Sequence, residues 1–199
     1  MTTMPNATDI PDSDLLRQAR SGTAAAFTAL YRRHQGPLYR YAVLRCGSTD
    51  TAADIVQEAF MGLLTGRLQF DPLRGQLQHF LFGVARMLAL KQDPARGRTL
   101  AMPAEGDDDE CGPEPASEDA EPLDRLLENE TAEEVRRALA QLAPHYRDVV
   151  ILYELHDLSY VEIASVCQVD IGTVRSRLSR GRAALAKRLA AYGPAADAA

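Results

Sequence analysis

The residues with the clearest chemical potential lie near the C-terminal end, where residues 171–190 carry six Lys or Arg and no Asp or Glu. On a helix, Arg175 shares a face with Ser179 and Arg180, which follow it by four and five residues. Ser176 adjoins that face. Arg donates two parallel hydrogen bonds to guanine in the major groove, and Ser contacts bases or phosphates. The pattern therefore favours DNA binding over the simpler interpretation, in which these cations only solvate one face of a bundle helix.

Two short helices joined by a tight turn are predicted to position these cations. Ser159 and Glu162 have the spacing of a capping box, which begins a first helix. Asp170 is a suitable N-cap for a second helix. This order is typical of a helix-turn-helix motif, whose second helix enters the major groove of DNA.

The remaining sequence has apolar residues at helical spacing on both sides of residues 94–122. That stretch is rich in Pro, Gly, Asp and Glu, so we predict an acidic, flexible linker there. An alternative is that its acids mask the basic face of the C-terminal part. We therefore predict an all-α protein, with an N-terminal helical bundle at residues 14–93 and a helix-turn-helix domain at residues 123–190.

Other kinds of chemistry find little support. The four histidines are scattered, and the sequence has neither a phosphate-binding glycine loop nor a nucleophile elbow. We therefore expect no metal, no cofactor and no enzymatic activity of the chain alone. No apolar run reaches the ~18 residues of a spanning helix, and Arg45 and Arg86 interrupt the most apolar stretches. With three widely spaced cysteines and no secretory signal, we expect a cytoplasmic protein that does not contact a membrane.

Two parts of the sequence resemble the extracytoplasmic-function (ECF) sigma factors of bacteria, in the sigma-70 family. The C-terminal resemblance rests on Leu139–Pro144, Leu158–Ala164 and Gly172–Arg180, which are similar to the family's fourth conserved region. The N-terminal resemblance rests on Asp54–Phe60 and Phe80–Arg86, which are similar to its second region. Two blocks in the right order across an acidic linker are more specific than a lone helix-turn-helix motif.

The resemblance implies a function in promoter recognition by RNA polymerase. The second region would dock on the β′ clamp of the core enzyme and open the minus-ten element of promoter DNA, and the fourth would dock on the β flap and read the minus-thirty-five element. The implied polymerase contacts are Thr51, Asp54, Gln57, Glu58 and Met61. The implied minus-ten contacts are Phe70, Arg74, Gln76, Arg86 and Lys91. At the minus-thirty-five element, the implied base contacts are Arg175, Ser176, Ser179 and Arg180, and the implied backbone contacts are Arg147, Tyr160, Thr173, Arg177 and Arg182.

Three positions depart from the family pattern. Met87 stands where the promoter-melting helix usually has Asn, and a thioether cannot make the contacts of an amide. The family's minus-ten specificity is therefore not carried over. Gln168 stands where the turn usually has Gly, at a cost of about 1 kcal/mol if the turn needs a positive φ. Thr51–Asp54 replaces a cluster of acids at the start of the polymerase-binding helix.

A phosphate on Thr51 would restore that lost charge. Thr51 shares a helical face with Asp54, Glu58 and Met61, and a phosphate adds about −1.5 to −2 charges, which a helix N-terminus favours. We therefore hypothesise that a Ser/Thr protein kinase switches the chain on at Thr51, with Thr49 and Ser48 as lesser candidates. The alternative is that Thr51 is only an N-cap paired with Asp54.

Two other functions fit part of the pattern. A sigma mimic, which binds a regulator or polymerase without starting transcription, would explain Met87 and the weakened acidic cluster, but it has no need for Arg175 and Arg180. A stand-alone helix-turn-helix regulator would dimerise on palindromic duplex DNA, but the sequence has no dimer-forming heptad and the N-terminal resemblance would then be unexplained. The sequence leaves open whether an anti-sigma partner exists.

Overall fold

The structure is a computed structural model that describes residues 10–92 and 123–190, with side chains in the second stretch from Ala132 onward. All regular elements within these residues are helices, so the predicted all-α class is confirmed. None of these helices is long and apolar enough to cross a membrane. The predicted acidic linker, residues 94–122, lies outside the described residues.

The N-terminal module is built around one long helix, which packs against the three other helices of the module. This central helix continues through Pro37 and ends at Gly47, whose φ of +73° is a conformation that glycine adopts without strain. The elements are α1 (Asp12–Arg20), α2 (Ala24–Cys46), α3 (Thr49–Leu64), the 3-10 turn Pro72–Arg74 and α4 (Leu77–Gln92).

Within this module, α3 turns one face inward and the other to solvent. Ile55, Ala59 and Leu63, spaced four residues apart, are fully buried against the rest of the module. Asp54 and Glu58 lie on the opposite side and are exposed. The sequence pattern of α3 thus sets which of its side chains are open to a partner.

The C-terminal module contains the predicted helix-turn-helix motif. The Glu162 amide donates to Ser159 Oγ at 3.4 Å and the Ser159 amide donates to Glu162 Oε2 at 2.8 Å, which confirms the capping box. The turn between its last two helices holds Gln168 at φ +56° and ψ +49°, the left-handed conformation expected of the glycine that Gln168 replaces. The elements are α5 (Leu123–Ala140), α6 (Pro144–Glu154), α7 (Tyr160–Cys167) and α8 (Ile171–Ala190).

The two modules lie directly against each other. Helices α5 and α6 contact α2, and α7 contacts α4. Buried apolar residues from both modules form one continuous cluster, which includes Tyr41 and Phe82 from the N-terminal module and Ile151 and Leu152 from the C-terminal one. The sequence predicts two bundles joined by a linker but does not reveal this contact between them.

Candidate promoter and polymerase interfaces

The recognition helix α8 begins at a well-formed cap. The Thr173 amide donates to Asp170 Oδ1 at 2.8 Å and the Thr173 hydroxyl donates to Asp170 Oδ2 at 2.6 Å. These two hydrogen bonds lower the pKa of the Asp170 carboxyl, so the cap stays ionised where it meets the positive end of the helix dipole. The predicted N-cap at Asp170 is confirmed. Thr173, which the resemblance assigns to a backbone contact, has its hydroxyl engaged in this cap.

The predicted base-reading face of α8 is open to solvent. Arg175, Ser176, Ser179 and Arg180 are all exposed. The guanidinium carbon of Arg175 lies 5.9 Å from the centre of the Tyr160 ring, within the range of a cation–π contact. The structure therefore brings the four side chains together on one accessible surface, as their spacing predicts.

The opposite face of α8 fixes its distance from α6. A Cβ added at Gly181 would lie 2.8 Å from Val150 Cγ2 and 3.3 Å from Tyr146 Cβ, so a larger residue cannot fit without a shift of these helices. Val174 and Leu178 are buried on the same side of α8. This close packing of α8 on α6 therefore fixes how far the predicted base-reading face lies from the rest of the module.

Arg147 and Arg182, two further predicted minus-thirty-five residues, have other partners in the protein. Arg147 donates from Nη1 to the Arg45 carbonyl at 2.7 Å and from Nη2 to the Leu142 carbonyl at 3.0 Å. Arg182 pairs with Glu154 at 2.5 Å and lies over the Tyr153 ring at 4.8 Å. Arg177 and Tyr160 are half-buried. In this arrangement Arg147 ties the two modules together rather than facing outward.

The predicted minus-ten residues divide between an exposed loop and α4. The loop around the 3-10 turn is held by Asp71, whose carboxylate accepts from the Leu73 amide at 2.9 Å, and it presents Leu73 with 94% of its surface exposed. Arg74 and Gln76 are exposed beside Leu73. Phe70 instead packs on Phe80, with ring centres 5.7 Å apart. Lys91 and Met87 are both exposed on α4.

Arg86, the last of the predicted minus-ten residues, is bound to the other module. Its Nε donates to Asp148 Oδ2 at 3.0 Å. The Oδ1 atom of the same carboxylate accepts from Arg45 Nε at 2.5 Å and from the Tyr41 hydroxyl at 3.1 Å. We refer to Tyr41, Arg45, Arg86 and Asp148 as the Asp148 cluster.

The Asp148 cluster lies in the protein interior. Asp148 is 2% exposed, and Tyr41 and Arg45 are buried with it. Burial, reinforced by the negative charge of Asp148, raises the pKa of Tyr41 well above its usual value, so the phenol remains a donor. None of the sequence patterns predicts this cluster. The available signal is that Arg45 and Arg86 interrupt otherwise apolar helices, which in a soluble bundle indicates a buried ionic partner.

His156, in the connection between α6 and α7, also sits at this boundary. Its ring centre lies 4.6 Å from that of Phe82 and 6.3 Å from that of Tyr41, both in the N-terminal module. Burial, with a smaller contribution from the charge of Arg40, lowers the pKa of His156 to about 4. His156 is therefore neutral in this arrangement, and its ring packs against aromatic residues of the N-terminal module.

Two of the predicted polymerase-binding residues, Gln57 and Met61, line an apolar groove between α2 and α3. Its lining includes Tyr31, Tyr39, Phe60 and Met61, the last with 46% of its surface exposed. Asp54, Gln57 and Glu58 are also exposed on α3. An exposed apolar groove beside carboxylates is suited to a partner that carries both apolar and basic side chains.

The structure corrects the interpretation of Thr51 as a helix N-cap. The N-cap of α3 is Ser48, whose Oγ accepts from the Thr51 amide at 3.3 Å. Thr51 therefore lies inside the first turn. Its side chain is half-buried, and its hydroxyl makes no hydrogen bond to any described residue. Several N-cap formers stand side by side at Ser48–Thr51, so spacing alone did not settle which one caps the helix.

Comparison with known proteins places these surfaces in a family. The family model described as sigma-70 region 2 matches residues 30–98, and the model described as sigma-70, region 4 matches residues 132–185. The ECF RNA polymerase sigma factor SigE of Mycolicibacterium smegmatis is 31% identical over 186 residues, which cover 92% of this chain and 70% of that protein.

Two solved structures agree with this assignment. CnrH in complex with the cytosolic domain of CnrY matches with a TM-score of 0.63 and 25% identity, over 94% of this chain and 99% of that one. The sigma factor RpoE of Bartonella quintana, in complex with the anti-sigma factor NepR, matches with a TM-score of 0.59 and 25% identity, over 82% of this chain and 96% of that one. The chain therefore belongs to the ECF sigma factors of the sigma-70 family.

Proposed function

We propose that this chain is a promoter-specificity subunit of bacterial RNA polymerase, working in the cytoplasm with the core enzyme. The observation that carries the proposal is the exposed face of α8, where Arg175 and Arg180 stand beside two serines on a capped, closely packed helix. A sigma mimic that never touches DNA has no need of such a face. Arg in the major groove supplies the bidentate hydrogen bonds that distinguish guanine from other bases.

The N-terminal module, residues 14–93, would supply the other contacts. We assign the groove between α2 and α3 to the β′ clamp of polymerase, because it offers apolar surface and because Asp54 and Glu58, each next to a lining residue in the sequence of α3, are exposed. The exposed loop at Leu73 and Arg74 and the helix α4 would meet the opened minus-ten strand. An unstacked base needs an apolar surface to offset the few kcal/mol that flipping costs. In the C-terminal module, residues 123–190, α8 would meet the minus-thirty-five duplex while the module docks on the β flap.

Run-off transcription with purified core polymerase and genomic promoter fragments tests this function. Core enzyme with the chain should give discrete transcripts that core alone does not give. The variant Arg175→Ala/Arg180→Ala should still bind core polymerase but lose these transcripts, whereas Lys187→Ala, an exposed cation further along α8, should keep them. Association with core polymerase but no transcript from any promoter or modified form would instead support the sigma mimic. Absence of any association with core would overturn the proposal and would leave, of these two functions, only a mimic that binds a regulator.

We further propose that phosphorylation of Thr51 by a Ser/Thr kinase strengthens polymerase binding. Thr51 lies in the first turn of α3, where the amide groups of the helix N-terminus favour an anion. Asp54 is one turn further along and exposed, so a phosphate at Thr51 would extend the negative edge of the groove. Ser48 already provides the cap, which leaves the Thr51 hydroxyl without a structural hydrogen bond among the described residues.

Binding of the chain to immobilised core polymerase tests the Thr51 proposal. Phosphorylated wild type should bind at least about tenfold more tightly than unmodified protein, as expected if one charge-assisted contact forms. Thr51→Ala should abolish the kinase effect, and Thr51→Asp should restore part of it. Thr49→Asp is the matched control, because Thr49 is exposed in the same turn. Equal affinity of unmodified and phosphorylated wild type would contradict the switch.

A further inference from the structure

One face of α4 is covered by the C-terminal module along its length. His79 lies 3.9 Å from Glu162, and the Phe82 ring packs on His156. Arg86 is bound to Asp148. A Cβ added at Gly83 would lie 3.7 Å from the Val166 carbonyl oxygen. These four positions of α4 are spaced three, one and three residues apart, so they form a single face of the helix. The contact is therefore a continuous interface rather than an isolated ion pair.

The strongest polar element of this interface is the Asp148 cluster. The carboxylate comes from α6, while all three groups that donate to it come from α2 and α4. Arg45 and Asp148 are both nearly inaccessible to water, so salt screens their attraction weakly. Arg147 adds a hydrogen bond from α6 to the Arg45 carbonyl. Every side chain that donates to this buried carboxylate belongs to the other module. The hydrogen bonds of Asp148 in the cluster therefore form only while the two modules are in contact.

This arrangement is incompatible with the proposed reading of two promoter elements at once. The minus-ten and minus-thirty-five elements are separated by about 25 base pairs, or about 85 Å of duplex at ~3.4 Å per base pair. Two touching modules of about 70 to 80 residues have centres only about 30 Å apart. The 30 residues between Gln92 and Leu123 can span up to about 100 Å by covalent geometry alone. Arg86, moreover, is held against Asp148 through its Nε, with 21% of its side chain exposed.

We propose that the Asp148 cluster is an autoinhibitory contact that holds the free chain closed and keeps the α4 face from the opened minus-ten strand. In the closed chain Asp148 accepts from Nε of Arg86 and holds on the C-terminal module a guanidinium group that would otherwise pair with a phosphate. Opening exchanges the Asp148 contact for contacts to DNA and polymerase. This inference rests on the proposed function for the role of α4, but the closed state itself is tested independently of transcription.

Small-angle X-ray scattering of the full chain tests the contact. Asp148→Asn removes the negative charge and leaves Arg45 and Arg86 facing each other in the interior. We expect the ratio of open to closed chains to rise by about two orders of magnitude or more, and the radius of gyration by at least about 5 Å. Arg45→Gln should open the chain similarly, and Arg45→Lys, which retains the charge, should open it less. Asp14→Asn, in an exposed ion pair on α1, is the matched control and should leave the radius unchanged.

Circular dichroism of the same samples separates opening from unfolding. An expanded variant should keep the helical signal of wild type, because each module retains its own helices. A radius of gyration for Asp148→Asn and Arg45→Gln equal to that of wild type, with helicity retained, would overturn the proposal. Expansion accompanied by loss of helicity would also count against it, because the cluster would then stabilise the fold rather than the contact between modules.

Binding of random-sequence single-stranded DNA, followed by fluorescence anisotropy, adds the functional measurement. Asp148→Asn should bind about tenfold more tightly than wild type, and Asp148→Asn/Arg86→Gln should lose that gain. If scattering shows an open chain while single-stranded binding is unchanged, the cluster holds the chain closed but does not inhibit it, and both the autoinhibition and the assigned role of α4 fail. If scattering shows no opening, the lock fails whatever the DNA measurement gives.

Discussion

The two helices assigned to promoter reading differ in what lies over them. The face of α8 with Arg175 and Arg180 is open to solvent, whereas the face of α4 with Phe82 and Arg86 is covered by the C-terminal module. The proposed surface for duplex DNA is therefore accessible, whereas the proposed surface for the opened strand is accessible at its loop and at Lys91 but covered at Phe82 and Arg86. The difference indicates that the two modes of DNA recognition can be controlled separately in one molecule.

The largest effect that this comparison predicts is at α8. Arg175→Ala/Arg180→Ala should weaken binding of duplex DNA carrying the cognate minus-thirty-five element by about a hundredfold or more, since each bidentate arginine contributes ~1–3 kcal/mol of discrimination. Fluorescence anisotropy at fixed salt measures the change. Asp148→Asn is the informative control, because its α8 face is unaltered, and its duplex affinity should stay within about twofold of wild type. A large effect of Asp148→Asn on duplex binding would show that the two surfaces are not independent.

A second prediction concerns a substitution at Gly181, on the buried side of α8. Gly181→Val should destabilise the C-terminal module by ~1–3 kcal/mol, because the added atoms meet Val150 and Tyr146 at less than normal contact distance. Thermal unfolding followed by circular dichroism measures the loss. Ala183→Val, on an exposed position of the same helix, carries only the smaller propensity cost of a β-branched residue.

Duplex binding by Gly181→Val should fall even though no contact residue has changed. The reason is that the distance between α8 and α6, which sets the position of the predicted base-reading face, depends on the absence of a side chain at position 181. Unaltered stability of this variant would mean that α8 can shift away from α6 at no cost, and the close approach would then not define the reading face.

A third prediction concerns acid and the covered face of α4. The pKa of His156 is about 4 in the closed chain, against an ordinary value of 6.5. A group that binds its proton more weakly in the closed state favours the open state when it is protonated. His156 therefore stabilises the closed state fully above pH 6.5, and this contribution is lost progressively as the pH falls from 6.5 towards 4. We expect the open-to-closed ratio to rise about tenfold between pH 7.5 and pH 5.5.

Scattering at the two pH values, on wild type and His156→Gln, checks this expectation. The variant should lose most of the pH response, because it has no group to protonate at that position. The charged groups near His156 are Arg40, which lowers its pKa, and Asp157, which raises it. Arg40→Gln should therefore raise the pKa of His156 in the closed chain towards 6.5 and make the total response smaller, while the pH at which the response begins stays the same. A wild-type response that persists in His156→Gln would assign the acid sensitivity to other groups.

The parts of this molecule that could be predicted from sequence are those set by local contacts. The capping box at Ser159 and the cap at Asp170 each act within three residues, and the spacing of Arg175 and Arg180 fixes their common face. The Asp148 cluster joins residues that are 62 to 107 positions apart. No periodicity carries that information. In the sequence, Arg45 and Arg86 interrupt apolar helices, but their common partner, Asp148, depends on the contact between the two modules.

The smallest predicted effect lies in the turn between α7 and α8, where the departure from the family pattern has a local cost. Gln168 adopts a left-handed conformation that glycine adopts freely, and an L-residue there is strained by ~1 kcal/mol. Gln168→Gly should therefore raise the free energy of unfolding by up to about 1 kcal/mol and the midpoint by about 2–4 °C, with duplex affinity unchanged because the Asp170 cap is retained. Gln168→Ala removes the same side chain but keeps the Cβ that causes the strain, so it should give no gain. If Ala and Gly stabilise equally, the cost arises from the glutamine side chain and not from the backbone.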